Sequence, residues 1–64
     1  MVTINGESVS AQGMTIMAYL EQEGYNTERV VVERNLEILP RESLTEIVIE
    51  DGDSIEILMF VGGG

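Results

Sequence analysis

One stretch breaks the two-residue alternation that runs through this chain. In "TIMAYLEQEGY", Ile16, Tyr19 and Leu20 gather on one face at helical spacing, with Met17 at the edge of that face. Glu21, Gln22 and Glu23 fall on the water side. Thr15 is placed to cap the first turn, because its hydroxyl can accept an amide that has no partner within the helix. Gly24 suits the left-handed position just past the last turn, which lets Tyr25 pack back on Leu20. The helix runs for about two and a half turns, too few to persist alone in water. It must lie on another element, and the remainder of the chain offers strands.

The first of these is a hairpin. Val2 and Ile4 alternate with Thr3 and Asn5, and Val9 and Ala11 continue the apolar face after the turn. Asn5-Gly6 is the strongest short hairpin signal, since a type I′ turn needs positive φ at both central residues. "RVVVER" is a β-branched run that reads as a strand, with Val30 and Val32 on one face and Val31 on the other. Asn35 opens a turn, and "EIL" forms a short strand that Pro40 ends for want of an amide. "RESL" makes a helical turn that drops Leu44 into the core, and "EIVIE" reads as a loop-like edge segment. Asp51-Gly52-Asp53 is a solvated tight turn before the closing strand "SIEILMFV".

Strands and helix segregate along the chain, which gives an α+β domain: a mixed sheet of four to five strands with one main helix packed across one face. The first hairpin reaches the later strands only by crossing over through the helix. Such a crossover puts a parallel pair in the sheet, and the first and last strands are the expected pair, both central. At 64 residues there is one domain, and a chain of this size buries only about 60% of the surface that its unfolded form exposes. Residues 1–61 are expected to form that domain and 62–64 a flexible glycine tail.

Composition excludes most chemistry. There is no cysteine and no histidine, which removes disulfides, thiolate metal sites and the usual nucleophile–base pairs. No phosphate-binding glycine loop is present. Glu50, Asp51 and Asp53 in "EDGD" lack the spacing of a calcium loop, so no metal site is expected. Twelve acidic residues against three arginines leave a net charge of −9, which repels nucleic acid. That charge serves solubility, or steers the chain toward a basic partner surface. No apolar run approaches the ~20 residues of a membrane helix. "MVTING" does not resemble a signal peptide, so the chain is expected to be cytoplasmic; without histidine, cysteine or a phosphate loop it is expected not to be an enzyme.

Two features remain. Alternation in the last strand places Ile55, Ile57 and Met59 inward and Ser54, Glu56, Leu58 and Phe60 outward. An outward Leu58–Phe60 pair is an apolar patch of the kind that partners cover. The strand then runs directly into Gly62, Gly63 and Gly64. Without Cβ atoms, such an end can thread a channel too narrow for side chains, and its carboxylate is open to attack.

With these pieces assembled, the chain resembles the ThiS family of sulfur carrier proteins, which have the ubiquitin-like β-grasp fold. The resemblance runs the whole length, through "VTINGE", "TIMAYLEQEGY", "VVVERN", "EILPRESL", "DGDSIEIL" and the ending "VGGG". Many members have Asn-Gly where this chain has Asn35-Leu36, a difference that touches turn geometry. The resemblance implies that a ThiF-type enzyme uses ATP to adenylate the Gly64 carboxylate. Sulfur from a donor such as a cysteine desulfurase then replaces AMP, leaving a thiocarboxylate that a ThiG-type thiazole synthase consumes. On this reading no cofactor is bound. Gly63 and Gly64 are the sulfur-carrying end. Leu58 and Phe60, followed by Val61 and Gly62, dock the partners. Three rival readings stand beside it: a carrier of the molybdopterin synthase small-subunit type, a protein conjugated through its glycine end, and a β-grasp binding module with an inert tail.

Overall fold

A computed structural model describes residues 1–60 of the chain. The elements are β1 (Val2–Ile4), β2 (Glu7–Val9), α1 (Ile16–Gln22), β3 (Val30–Arg34), β4 (Glu37–Ile38) and β5 (Ser54–Met59), with a 3₁₀ turn at Arg41–Ser43. They form one five-stranded sheet in the order β2-β1-β5-β3-β4. β1 and β5 are parallel, and the other pairs are antiparallel. The expected parallel pair is therefore present, with β5 at the centre of the sheet. This is the α+β architecture, one helix on a mixed sheet, that the pattern of elements implied.

Each local signal took the form its residues favour. Asn5 and Gly6 both have positive φ (51° and 84°) between β1 and β2. The Ala18 amide donates to Thr15 Oγ1 at 3.1 Å, capping α1. At the other end, Tyr25 N–H donates to the Leu20 carbonyl at 3.0 Å and Gly24 N–H to that of Glu21 at 3.2 Å. These are the paired bonds of a Schellman ending, which satisfy carbonyls that the helix leaves open.

The covered face of the sheet supplies Val2, Ile4, Val30, Val32, Ile55 and Ile57 to the core. Ile16, Tyr19 and Leu20 of α1 join the same cluster, along with Ala11, Leu44 and Ile49. Leu44 follows the 3₁₀ turn, as "RESL" predicted. The Arg41 guanidinium caps the start of β3 by donating to the carbonyls of Thr27 and Val30.

Three expectations need correction. Residues 47–49 are not an edge of the sheet. They pair with the chain just before and at the start of α1: Gly13 N–H donates to the Ile49 carbonyl and Ile49 N–H to that of Met14, both at 2.8 Å, and Ile16 N–H to that of Ile47 at 2.9 Å. This ladder buries Ile49 completely and leaves Val48 facing out. Met59, expected inward, is half exposed. It ends β5 opposite Val30, at the margin of the core. Asp53, read as part of a solvated turn, is buried.

Candidate functional site

β5 is the element that carries the site, and its setting follows from its residues. Ile55 and Ile57 point into the core, while Ser54, Glu56 and Leu58 point away from the helix. The strand is gripped on both sides. Asn5 N–H donates to the Ile55 carbonyl at 2.9 Å, and the Ile57 amide donates to Asn5 Oδ1 at 2.7 Å. On the other side β5 pairs with the whole length of β3, from Val30↔Met59 to Arg34↔Ile55. The pairing extends one step further, where Phe60 N–H donates to the Arg29 carbonyl at 2.8 Å. The chain is thus held in line up to Phe60.

Leu58 is 51% exposed and Phe60 59% exposed. No loop or second layer among the described residues covers them. The register puts Val31 directly across from Leu58 and Glu33 across from Glu56. Glu33 is also opposite Ile38 on β4, and Ile38 is 68% exposed. Of this face, β5 alternation had identified Leu58 and Phe60. Val31 was assigned to the outward side of its strand without being joined to them. Ile38 escaped notice, because a two-residue strand shows no alternation and only the β3–β4 register reveals its neighbours. The other expected site residues, Val61, Gly62, Gly63 and Gly64, lie outside the described residues.

The end of the sheet opposite Phe60 is locked by one carboxylate. Asp53 Oδ2 accepts from Arg34 Nε at 2.9 Å and from the Glu50 amide at 2.9 Å. Its Oδ1 accepts from Asn35 Nδ2 at 3.2 Å. Burial pushes the Asp53 carboxyl up, but these three hydrogen bonds and the Arg34 charge outweigh it and hold the group below its ordinary value. Asn35 completes the knot: its Oδ1 accepts from the Ser54 amide at 2.9 Å, and its own amide donates to the Ser54 carbonyl at 2.8 Å. The network joins the β3–β4 turn to the start of β5. It is structural: among the described residues no buried side-chain nitrogen or oxygen is left without a hydrogen-bond partner. Among the described residues no group of three or more acidic side chains is placed to hold a metal ion, and no helix is long and apolar enough to cross a membrane.

The candidate site is therefore a central strand, braced on both sides, with two exposed apolar side chains at and just past its end; in the sequence the glycine run follows. A sequence profile of the ThiS family matches residues 1–64. The chain belongs to the ThiS family of sulfur carrier proteins. It is 39% identical to the sulfur carrier protein ThiS of Bacillus subtilis, with 100% of both chains covered. A crystal structure of the thiamine biosynthesis protein ThiS of Geobacter metallireducens superposes with a TM-score of 0.77 at 36% identity, covering 98% of this chain and 97% of that one. The chain is also 44% identical, over 98% of its length, to part of a thiazole synthase of Paramagnetospirillum magneticum. It spans a fifth (20%) of the length of that protein.

Proposed function

We propose that this member of the ThiS family carries sulfur for the thiazole of thiamine, with the Gly64 carboxylate as the carrying group. Residues 1–61 serve as the scaffold and 62–64 as the tail that enters partner active sites. The observation that carries this reading is the setting of β5: a central strand paired on both sides, with exposed Leu58 near its end and exposed Phe60 just past it, followed in the sequence by Val61 and three glycines.

The chemistry follows from what a carboxylate lacks. Carboxylate is a poor electrophile, because its charge is spread over two oxygens and its leaving group would be oxide. Attack of a Gly64 oxygen on the α-phosphorus of ATP, in a ThiF-type enzyme, releases pyrophosphate and makes an acyl-adenylate. The terminal sulfur of a persulfide, supplied by a donor such as a cysteine desulfurase, then attacks the acyl carbon and displaces AMP, and a thiol cleaves the resulting acyl disulfide, leaving the thiocarboxylate and a disulfide of the two thiols. The resulting thiocarboxylate is a sulfur nucleophile that does not diffuse away as sulfide, and a ThiG-type thiazole synthase accepts it. Similarity to part of a thiazole synthase supports that last partner.

The carrier contributes no general acid or base to these steps. It offers a docking face and a narrow acyl end, and Gly63 and Gly64 let the partner grip by backbone hydrogen bonds. The test is intact mass after incubation with a ThiF-type enzyme, ATP and a sulfur source. The full chain should gain the mass of one oxygen-to-sulfur exchange, located in its last residue. A chain lacking Gly64 should support no ATP–pyrophosphate exchange. Equal behaviour of the two chains would sink the proposal.

A further inference from the structure

β5 lies between two hairpins, and the turn of each opens on an asparagine. Asn5 and Asn35 share one backbone angle, φ 51°, which glycine adopts more readily than any residue with a Cβ. Both side chains do what glycine cannot. Asn35 Oδ1 accepts from the Ser54 amide at 2.9 Å, at the start of β5. Asn5 Oδ1 accepts from the Ile57 amide at 2.7 Å, further along the strand.

The two bonds are not equivalent. On the β3 side the strand is paired along its whole length, and Phe60 N–H still reaches the Arg29 carbonyl beyond it. On the other side β1 runs out early. Its pairing with β5 ends at Ile4↔Ile55, and the Asn5 amide donates to the Ile55 carbonyl at 2.9 Å. A regular parallel ladder would next bring the Asn5 carbonyl to the Ile57 amide. Positive φ at Asn5 instead turns the main chain away toward β2, and the side-chain oxygen takes the place of that carbonyl. Among the described residues no later amide of β5 is held on this side. Asn5 Oδ1 is thus the last grip on the β1 side of the strand that leads, through Leu58 and Phe60, to the glycine run of the sequence.

We infer that Asn5 is a positioning residue for sulfur carriage: by holding the Ile57 amide, its side chain keeps the outgoing end of β5 in the extended form that the activating enzyme takes up. This rests on the carrier reading above. Without the bond, that end is held from β3 alone. The enzyme must then order it on binding, which appears as weaker capture of the carrier and not as slower chemistry. The role also gives a reason for asparagine at this position. Gly-Gly makes the same turn, but it has no oxygen to offer β5.

The experiment pairs Asn5→Gly with Asn35→Gly. Glycine suits the positive φ at both sites, so both hairpins are kept, and each variant loses one Oδ1 bond to β5. Asn35→Gly also loses the bond to Asp53, so it should be the less stable of the two. ATP–pyrophosphate exchange with a ThiF-type enzyme is measured against carrier concentration, and amide hydrogen exchange is followed in the free chain. Asn5→Gly should raise the KM for the carrier roughly fivefold, as loss of one hydrogen bond does, with kcat within about twofold of wild type. Its Ile57 amide should exchange about tenfold faster or more, while that of Leu58, which faces β3, keeps its rate. Asn5→Asp keeps the acceptor and should restore both readouts. Asn35→Gly should show the wild-type KM despite a lower urea midpoint. Wild-type KM in Asn5→Gly would overturn the positioning role. So would an equal rise in the two glycine variants, which would reduce both asparagines to stability alone. Failure of Asn5→Asp to rescue would place the effect in the turn and not in the oxygen, and overturn it as well. An Ile57 amide that is unprotected in the wild-type chain would overturn the grip before any variant is made. Failure of the carrier reading registers separately, as absence of ATP–pyrophosphate exchange with the wild-type chain at every concentration.

Discussion

The two faces of one strand do different work. On β5, Ile55 and Ile57 are buried under α1, while Glu56 and Leu58, each one residue away, stand in solvent. The covered face determines whether the chain folds. The open face adds little to the core: it leaves Leu58 half exposed and sets Glu33 and Glu56 directly across from each other. What the contrast teaches is that burial in the core does not account for the side chains of the open face, which leaves them available for the docking role proposed above. It also separates two kinds of mutational effect that in larger proteins are mixed.

The sharpest way to break that contrast is a pair of truncations on the same strand. Ile55→Ala removes a side chain that is 2% exposed in the middle of the core, and should cost about 2–5 kcal/mol in denaturant unfolding. In a domain this small, a loss of that size leaves a large unfolded fraction. Leu58→Ala should cost under about 0.5 kcal/mol, in the ordinary range for surface positions, yet reduce sulfur loading at limiting activating enzyme. If Leu58→Ala unfolds the chain, the open face belongs to the fold and the division between the faces is wrong.

A second test concerns the knot that joins the faces at the far end of the sheet. Asp53 is ionised and hydrogen-bonded by Arg34, Asn35 and the Glu50 amide. Its folded pKa lies below the ordinary value. A depressed folded pKa means that the stabilisation is fully present above the unfolded value of about 3.9 and is lost as pH falls through the folded one. Asp53→Asn keeps the shape but removes the charge beside Arg34, and should cost about 1–3 kcal/mol at neutral pH. Urea midpoints of wild type and variant should converge as pH drops below about 4. A gap that persists unchanged in acid would show that the paired acceptor oxygens, one of which an amide nitrogen replaces, and not the charge, are what Asp53 supplies.

How much of this was legible in the sequence follows from the range of the interactions. The helix ends were readable because Thr15 and Gly24 encode their conformations within three or four residues. The parallel β1–β5 pair was readable because a hairpin, a helix and a final strand can close a sheet in few ways. The inward and outward sides of β5 were readable by alternation as far as Leu58. Met59 departed from it because burial ends where the core ends, and a two-residue period does not know how long the covering helix is. Asp53 was misread for a different reason. "DGD" favours a turn on local grounds, and it is one. Its burial is set by Arg34 and Asn35, which arrive from 19 and 18 residues away. Ile38 was silent for the same cause, since its neighbours exist only once β4 is in register.

The smallest effect concerns two turns that share one backbone shape. Asn5-Gly6 and Asn35-Leu36 both have positive φ at both positions, with Leu36 at 72°. Gly6 adopts this freely, whereas a residue with a Cβ there costs about 1–2 kcal/mol. Leu36 gains nothing in exchange within the fold, being 92% exposed. Leu36→Gly relieves the strain but adds the larger unfolded-state freedom of glycine, about 0.5–1 kcal/mol in the opposite direction. The difference predicts a gain of about 0.5 kcal/mol, read as a higher urea midpoint with an unchanged slope. Leu36 also precedes Ile38 on the edge of the open face, so the variant sharpens the comparison between the faces. A stability gain with unchanged binding to the activating enzyme leaves Leu36 outside the docking surface. A stability gain with weaker binding brings the turn into the docking surface, and gives a reason for keeping a strained, exposed leucine where glycine would fit.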